Sequence, residues 1–92
     1  MDRLEAQVRR GEEAERLLSS PMLNAAFDDT LAAIQATWIG LNRSEKGFDE
    51  RQLELHMMAK VIGRVRHCIT QHVATGKLAQ REIEGRKKLF RR

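Results

Sequence analysis

The side chains with the widest chemical range in this sequence are three histidines, one cysteine and adjacent carboxylates such as Asp28-Asp29 and Glu12-Glu13. Cys68 and His72 stand four residues apart, a spacing that on a helix turns two metal ligands to one side. His56 and His67 lie eleven apart, nearly in register around such a helix. A zinc site needs three or four convergent ligands, and no second Cys/His pair accompanies this one. The expectation is that Cys68 is a small buried hydrophobe and that His72 ends an apolar seam. His67 and Cys68 are adjacent, so on a helix their side chains diverge and do not make a nucleophile–base dyad. The same holds for Asp28-Asp29 and Glu12-Glu13, where neighbours point about 100° apart and read as solvated faces. Gly40, Gly47, Gly63, Gly76 and Gly85 match no phosphate-cradle spacing. No catalytic, cofactor-binding or metal site is therefore expected, and no small-molecule substrate.

The elements around these residues are helical. Ala, Leu, Glu, Gln, Arg and Lys dominate, and the one proline, Pro21, follows Ser19-Ser20. A first helix is expected over 2–18, with Leu4, Val8, Ala14 and Leu18 near one face and Gly11 interrupting it. Ser20 can cap a second helix whose first position suits Pro21. That helix is expected over 21–39. Leu23, Phe27, Leu31, Ile34, Trp38 and Leu41 follow steps of 4, 4, 3, 4 and 3, one buried helical stripe. Phe27 and Trp38 read as core anchors, or as interface hot spots if the body is too thin to cover them.

Residues 40–48 carry two glycines, an Asn and a Ser, and read as a loop. A third helix is expected over 49–75, stopped by Gly76. Leu55, Met58, Ile62, Val65, Ile69 and His72 give it a heptad-type seam, which Met57, Val61, Cys68 and Val73 widen. Gly63, beside that face, reads as a close helix crossing or as tolerated drift, with the crossing preferred. The fold class is all-α: an antiparallel hairpin of helices 21–39 and 49–75, an added N-terminal helix, and a basic tail over 77–92 that can form a fourth helix. The domain is placed at 1–76 with the tail outside it.

The chain has 92 residues and a formal net charge of +4. The excess is concentrated at one end, since residues 77–92 hold seven basic and two acidic groups. Lys77, Arg81, Arg86, Lys87, Lys88, Arg91 and Arg92 thus form a candidate contact for DNA phosphates or an acidic protein surface. No aromatic ladder accompanies them, which argues against single-strand stacking. A chain this short buries only about 60–65% of its unfolded surface, yet the third-helix stripe is wide enough for more than one neighbour. Leu55, Met58, Ile62, Val65, Ile69, Trp38 and Phe27 are accordingly the candidate protein interface. The single cysteine excludes an internal disulfide. No apolar run reaches membrane-spanning length, and the start of the chain lacks a signal-peptide core. Neither membrane insertion nor secretion is expected.

Two stretches carry a resemblance. The run Ala14-Glu15-Arg16-Leu17-Leu18-Ser19-Ser20-Pro21-Met22-Leu23-Asn24-Ala25-Ala26-Phe27 is similar to the opening of small helical proteins encoded in tailed-bacteriophage structural gene clusters. So are Arg64-Val65-Arg66-His67 and Val73-Ala74-Thr75-Gly76-Lys77-Leu78-Ala79. Together they cover residues 14–79. The resemblance implies a non-enzymatic virion or assembly component near portal, capsid or packaging proteins, located in the particle or the bacterial host cytoplasm. Its partner would be a larger viral assembly or a second copy. Two other readings follow from the residues: a small-terminase-like DNA binder resting on the basic end, and an adaptor or inhibitor that occupies a groove on a host enzyme. The resemblance transfers no functional residue.

Overall fold

The computed structural model describes residues 2–90, and all regular structure within them is helical. Helix α1 spans Arg3–Leu18, α2 spans Pro21–Ile39 and α3 spans Phe48–Phe90. Asp2 caps α1 through its carboxylate, which accepts from the Leu4 amide at 3.4 Å. At the other end the Ser19 hydroxyl donates to the Glu15 carbonyl at 2.9 Å. Helix α2 starts at Pro21, whose missing N–H costs nothing at a first helical position. Two threonines inside it, Thr30 and Thr37, return their hydroxyls to the carbonyls of Ala26 and Ala33.

The loop ahead of α3 is built from local hydrogen bonds. The Asn42 side-chain oxygen accepts from both the amide and the hydroxyl of Ser44 at 3.0 Å, an Asx-type turn. Gly47 has a φ of 85°, a left-handed conformation that a Cβ disfavours. Its carbonyl accepts from the Arg51 amide and so opens α3.

Helix α3 does not stop at Gly76. Gly76 is buried inside it, and the helix runs on to Phe90. The glycine is retained for a packing reason, given below, and helix-forming residues on both sides carry the ladder through. The boundary expected at Gly76 thus falls within one helix.

Two compact units divide the chain. One comprises Pro21–Arg66, the other α1 and α3 from His67 onward. In the second unit Leu4, Gln7, Gly11, Ala14 and Leu18 of α1 are buried or half-buried, in steps of 3, 4, 3 and 4. Gly11 is therefore part of the seam and not a break in it. A Cβ built on Gly11 would lie 2.9 Å from the Gly76 Cα and 3.0 Å from the His72 carbonyl oxygen. The two backbones touch there, and only glycine on both sides permits it. The close crossing expected at Gly63 is absent: nothing lies within 4 Å of a Cβ placed there.

Candidate protein interface

Within Pro21–Arg66 the inward positions of α3 are Phe48, Gln52, Leu55, Ala59, Ile62 and Arg66, in steps of 4, 3, 4, 3 and 4. Leu55 is 2% exposed and anchors this seam. On α2 the matching positions are Leu23, Asn24, Phe27, Leu31, Ile34 and Trp38, with Leu41 just beyond the helix. Trp38 meets His56 edge-on, with ring centroids 6.1 Å apart and planes at 85°. The Arg66 guanidinium lies 4.9 Å from the Phe27 ring centroid and donates to Asp28 at 3.1 Å. A seam position is thus held by an arginine that lays its charge over an aromatic ring and reaches a carboxylate at the rim.

The sequence-expected seam is rotated by one residue along one of its two columns. Leu55, Ile62 and Ile69 point inward as expected. Met58, Val65 and His72 do not; Ala59, Arg66 and Val73 take their places. Met58 and Val65 are 44% and 46% exposed on the flank of the seam. Cys68, expected to be buried, is exposed. The physical reason is that Met, Val and His read as core residues by type, whereas Gln52 and Arg66 carry polar ends on apolar stems and can bury those stems along a seam.

The outward face of this α3 segment, opposite the seam, carries Glu50, Leu53, Glu54, Met57, Lys60, Val61 and Arg64, all exposed. Leu53, Met57 and Val61 expose 59%, 57% and 61% of their surface. Glu54 forms an exposed pair with Arg51 at 2.9 Å. The exterior of α2 is more apolar still. Met22, Ala25, Ala26, Ala32, Ala33, Ala36 and Ile39 are all exposed, and Asp28 and Asp29 are the only charged residues in the helix. The other exposed polar residues of α2, Thr30, Gln35 and Thr37, are uncharged, so little on this exterior holds it in water. Helix α1 is its opposite, since its exterior presents Arg3, Glu5, Arg9, Arg10, Glu12, Glu13, Glu15 and Arg16.

The basic candidates are distributed over the last turns of α3. Lys77, Arg81 and Lys88 are exposed at steps of 4 and 7 on one flank, with Glu84 between them. Arg86 lies elsewhere on the helix surface and pairs with Glu82 at 3.2 Å. Arg86 and Lys87 also line a shallow groove with Asp2, the N-cap of α1, and Glu5. Arg91 and Arg92 lie outside the described residues. Ala79 is buried and Ile83 half-buried, so this end of α3 is part of a packed unit as well as a charge carrier.

Among the described residues no three His, Cys, Asp or Glu side chains form a group that could hold a metal ion. His67 is engaged with the Gln71 amide at 3.2 Å. No described helix is long and apolar enough to cross a membrane. Against known families, curated proteins and solved structures, the chain gives no match.

Proposed function

We propose that this chain is a non-enzymatic structural or assembly protein that docks on a larger protein assembly through the apolar exterior of residues 21–66. The observation that carries this reading is the exterior of α2: seven exposed Ala, Met and Ile positions with two carboxylates as its only charges. Leaving such a surface in water forgoes about 25 cal/mol for every Å² of apolar area, a loss that a partner would recover. In this reading α2 and the first half of α3 form an antiparallel helical hairpin. The contacts of Trp38 with His56 and of Phe27 and Asp28 with Arg66 support that arrangement. The assembly suggested by the resemblance of residues 14–79 is the portal, capsid or packaging region of a tailed-phage particle. Lys77, Arg81 and Lys88 would then approach packaged DNA or an acidic protein face.

A photoactivatable benzophenone side chain tests the docking surface. It is placed at Ile39 in one variant and at Glu13, on the charged exterior of α1, in another. Each variant is produced together with the products of the neighbouring genes. Covalent adducts to another protein are expected from position 39 and not from position 13. Equal yields at both positions, or none at position 39, would overturn the reading.

A further inference from the structure

The outward face of α3 between Phe48 and Arg66 reads the same in both directions once charge is inverted. Centred on Met57, Glu50 has Arg64 as its mirror position, Leu53 has Val61, and Glu54 has Lys60. All seven residues are exposed, and they lie opposite the seam that α2 covers. If a second such helix ran antiparallel over this face, each carboxylate would oppose a cation and each apolar residue an apolar one. A parallel or shifted alignment loses that match.

We infer that this face binds a second copy of the same chain, as an antiparallel two-fold contact centred on Met57. In that contact Met57 of one copy packs on Met57 of the other. Leu53 packs on Val61 on both sides, and Glu50–Arg64 and Glu54–Lys60 close two pairs at each end. A two-fold contact requires this reciprocity, in which residue i meets j and j meets i. Glu54 gives up nothing costly, because its present Arg51 partner is exposed and such pairs contribute little. The register confines the pairing to residues 48–66, about 27 Å of helix. One helix face of that length is smaller than a standard interface of roughly 800 Å² per partner, so the dimer is weak and concentration-dependent. The inference deepens the docking reading, because it assigns α3's exterior to self-association and leaves that of α2 for the assembly.

Charge reversal tests it. Glu50→Lys with Glu54→Lys makes all four flanking positions basic, and Lys60→Glu with Arg64→Glu makes all four acidic. At high micromolar concentration the wild-type 10.6 kDa chain should approach twice its monomer mass in light scattering. Each reversed variant alone should dissociate at least about tenfold more readily, since like charges then face each other. An equimolar mixture of the two should restore the dimer, which misfolded variants would not do. As a positional check, Met57→Cys in a Cys68→Ser background should form a disulfide-linked dimer with oxidised glutathione, and Ala33→Cys should not. A wild-type monomer at that concentration, a mixture that stays monomeric, or cross-linking at position 33 and not 57 would overturn the inference. A wild-type monomer whose position 39 still captures another protein would sink the second copy alone and leave the docking reading standing.

Discussion

Replacing Gly76 with alanine and replacing Gly63 with alanine should change stability in opposite directions, although both glycines lie inside the same helix. Each substitution gains about 1 kcal/mol of helix propensity. At Gly63 nothing lies within 4 Å of the added Cβ, so that gain is kept. At Gly76 the Cβ would lie 2.9 Å from the Gly11 Cα and 3.0 Å from the Gln7 carbonyl oxygen. Both are backbone atoms, and neither can rotate away. The helices must separate by roughly 0.5–1 Å to restore an ordinary carbon–carbon contact, which loosens the packing of Leu4, Gln7 and Ala14 along the seam. Overpacking of this kind costs about 1–3 kcal/mol, so after the propensity gain Gly76→Ala should be a net loss of up to about 2 kcal/mol. At about 4–8 °C per kcal/mol for a domain of this size, the two variants should melt on the order of 10 °C apart. Thermal melts followed by far-UV circular dichroism at one low concentration give the comparison. Gly11→Ala should behave as Gly76→Ala does, and the double variant should lose less than the sum, because one separation of the helices relieves both contacts. A Gly76→Ala protein as stable as Gly63→Ala would refute the crossing.

Leu55→Ala removes the 2%-exposed anchor of its seam and should cost about 2–4 kcal/mol in urea denaturation. Leu53→Ala, two residues away on the exterior, should stay within about 0.5 kcal/mol at concentrations that keep the chain monomeric. Arg66→Ala takes the guanidinium away from both the Phe27 ring and the Asp28 carboxylate, about 1 kcal/mol together. Asp28→Asn removes only the exposed pair and should cost about 0.5 kcal/mol or less by the same measurement. Any DNA binding by the basic end is best tested by Lys77→Gln, Arg81→Gln and Lys88→Gln together. Truncation after Gly76 would also remove the buried Ala79 and disturb the packing of that unit. Filter binding across a salt series should show weaker retention and a shallower slope, by up to about 0.9 for each phosphate that is no longer neutralised. An unchanged slope would reject the binding.

The sequence pattern was legible wherever residue type and periodicity agreed. Helix α2 begins and ends at the expected residues, because Pro21 fixes its start and Gly40 follows its last turn. Its stripe from Leu23 to Trp38 points inward as the spacing requires. Pattern reading failed where the seam is made of residues that do not look like core. Gly11 and Gly76 are ordinarily read as breaks, and their mutual contact is visible only once two segments 65 positions apart are brought together. Gln52 and Arg66 are ordinarily read as surface, and the column through Met58, Val65 and His72 looked more apolar than the true one. A repeat of seven at Phe48, Leu55, Ile62, Ile69, Gly76, Ile83 and Phe90 runs the whole length of α3. Following it past the glycine would have extended the helix beyond 75.

The same mismatch between residue type and position shapes the exterior. Once Met57, Met58, Val61 and Val65 are placed outside the seam, the chain no longer lacks a core residue for its own packing; it has apolar side chains left over. Where they are left over follows the composition of the outward-facing residues. Helix α1 turns eight charged residues to solvent, and the face needs no other cover. Helix α2 turns alanines outward, and alanine is the residue that lets two backbones approach without a side chain between them. On α3 the exposed apolar residues alternate with charges whose signs invert about Met57, which a surface selected only for solubility has no reason to do. On the docking and self-association proposed above, these three exteriors would meet three environments: water around α1, a copy of itself along residues 48–66 of α3, and a closely approaching protein surface against α2.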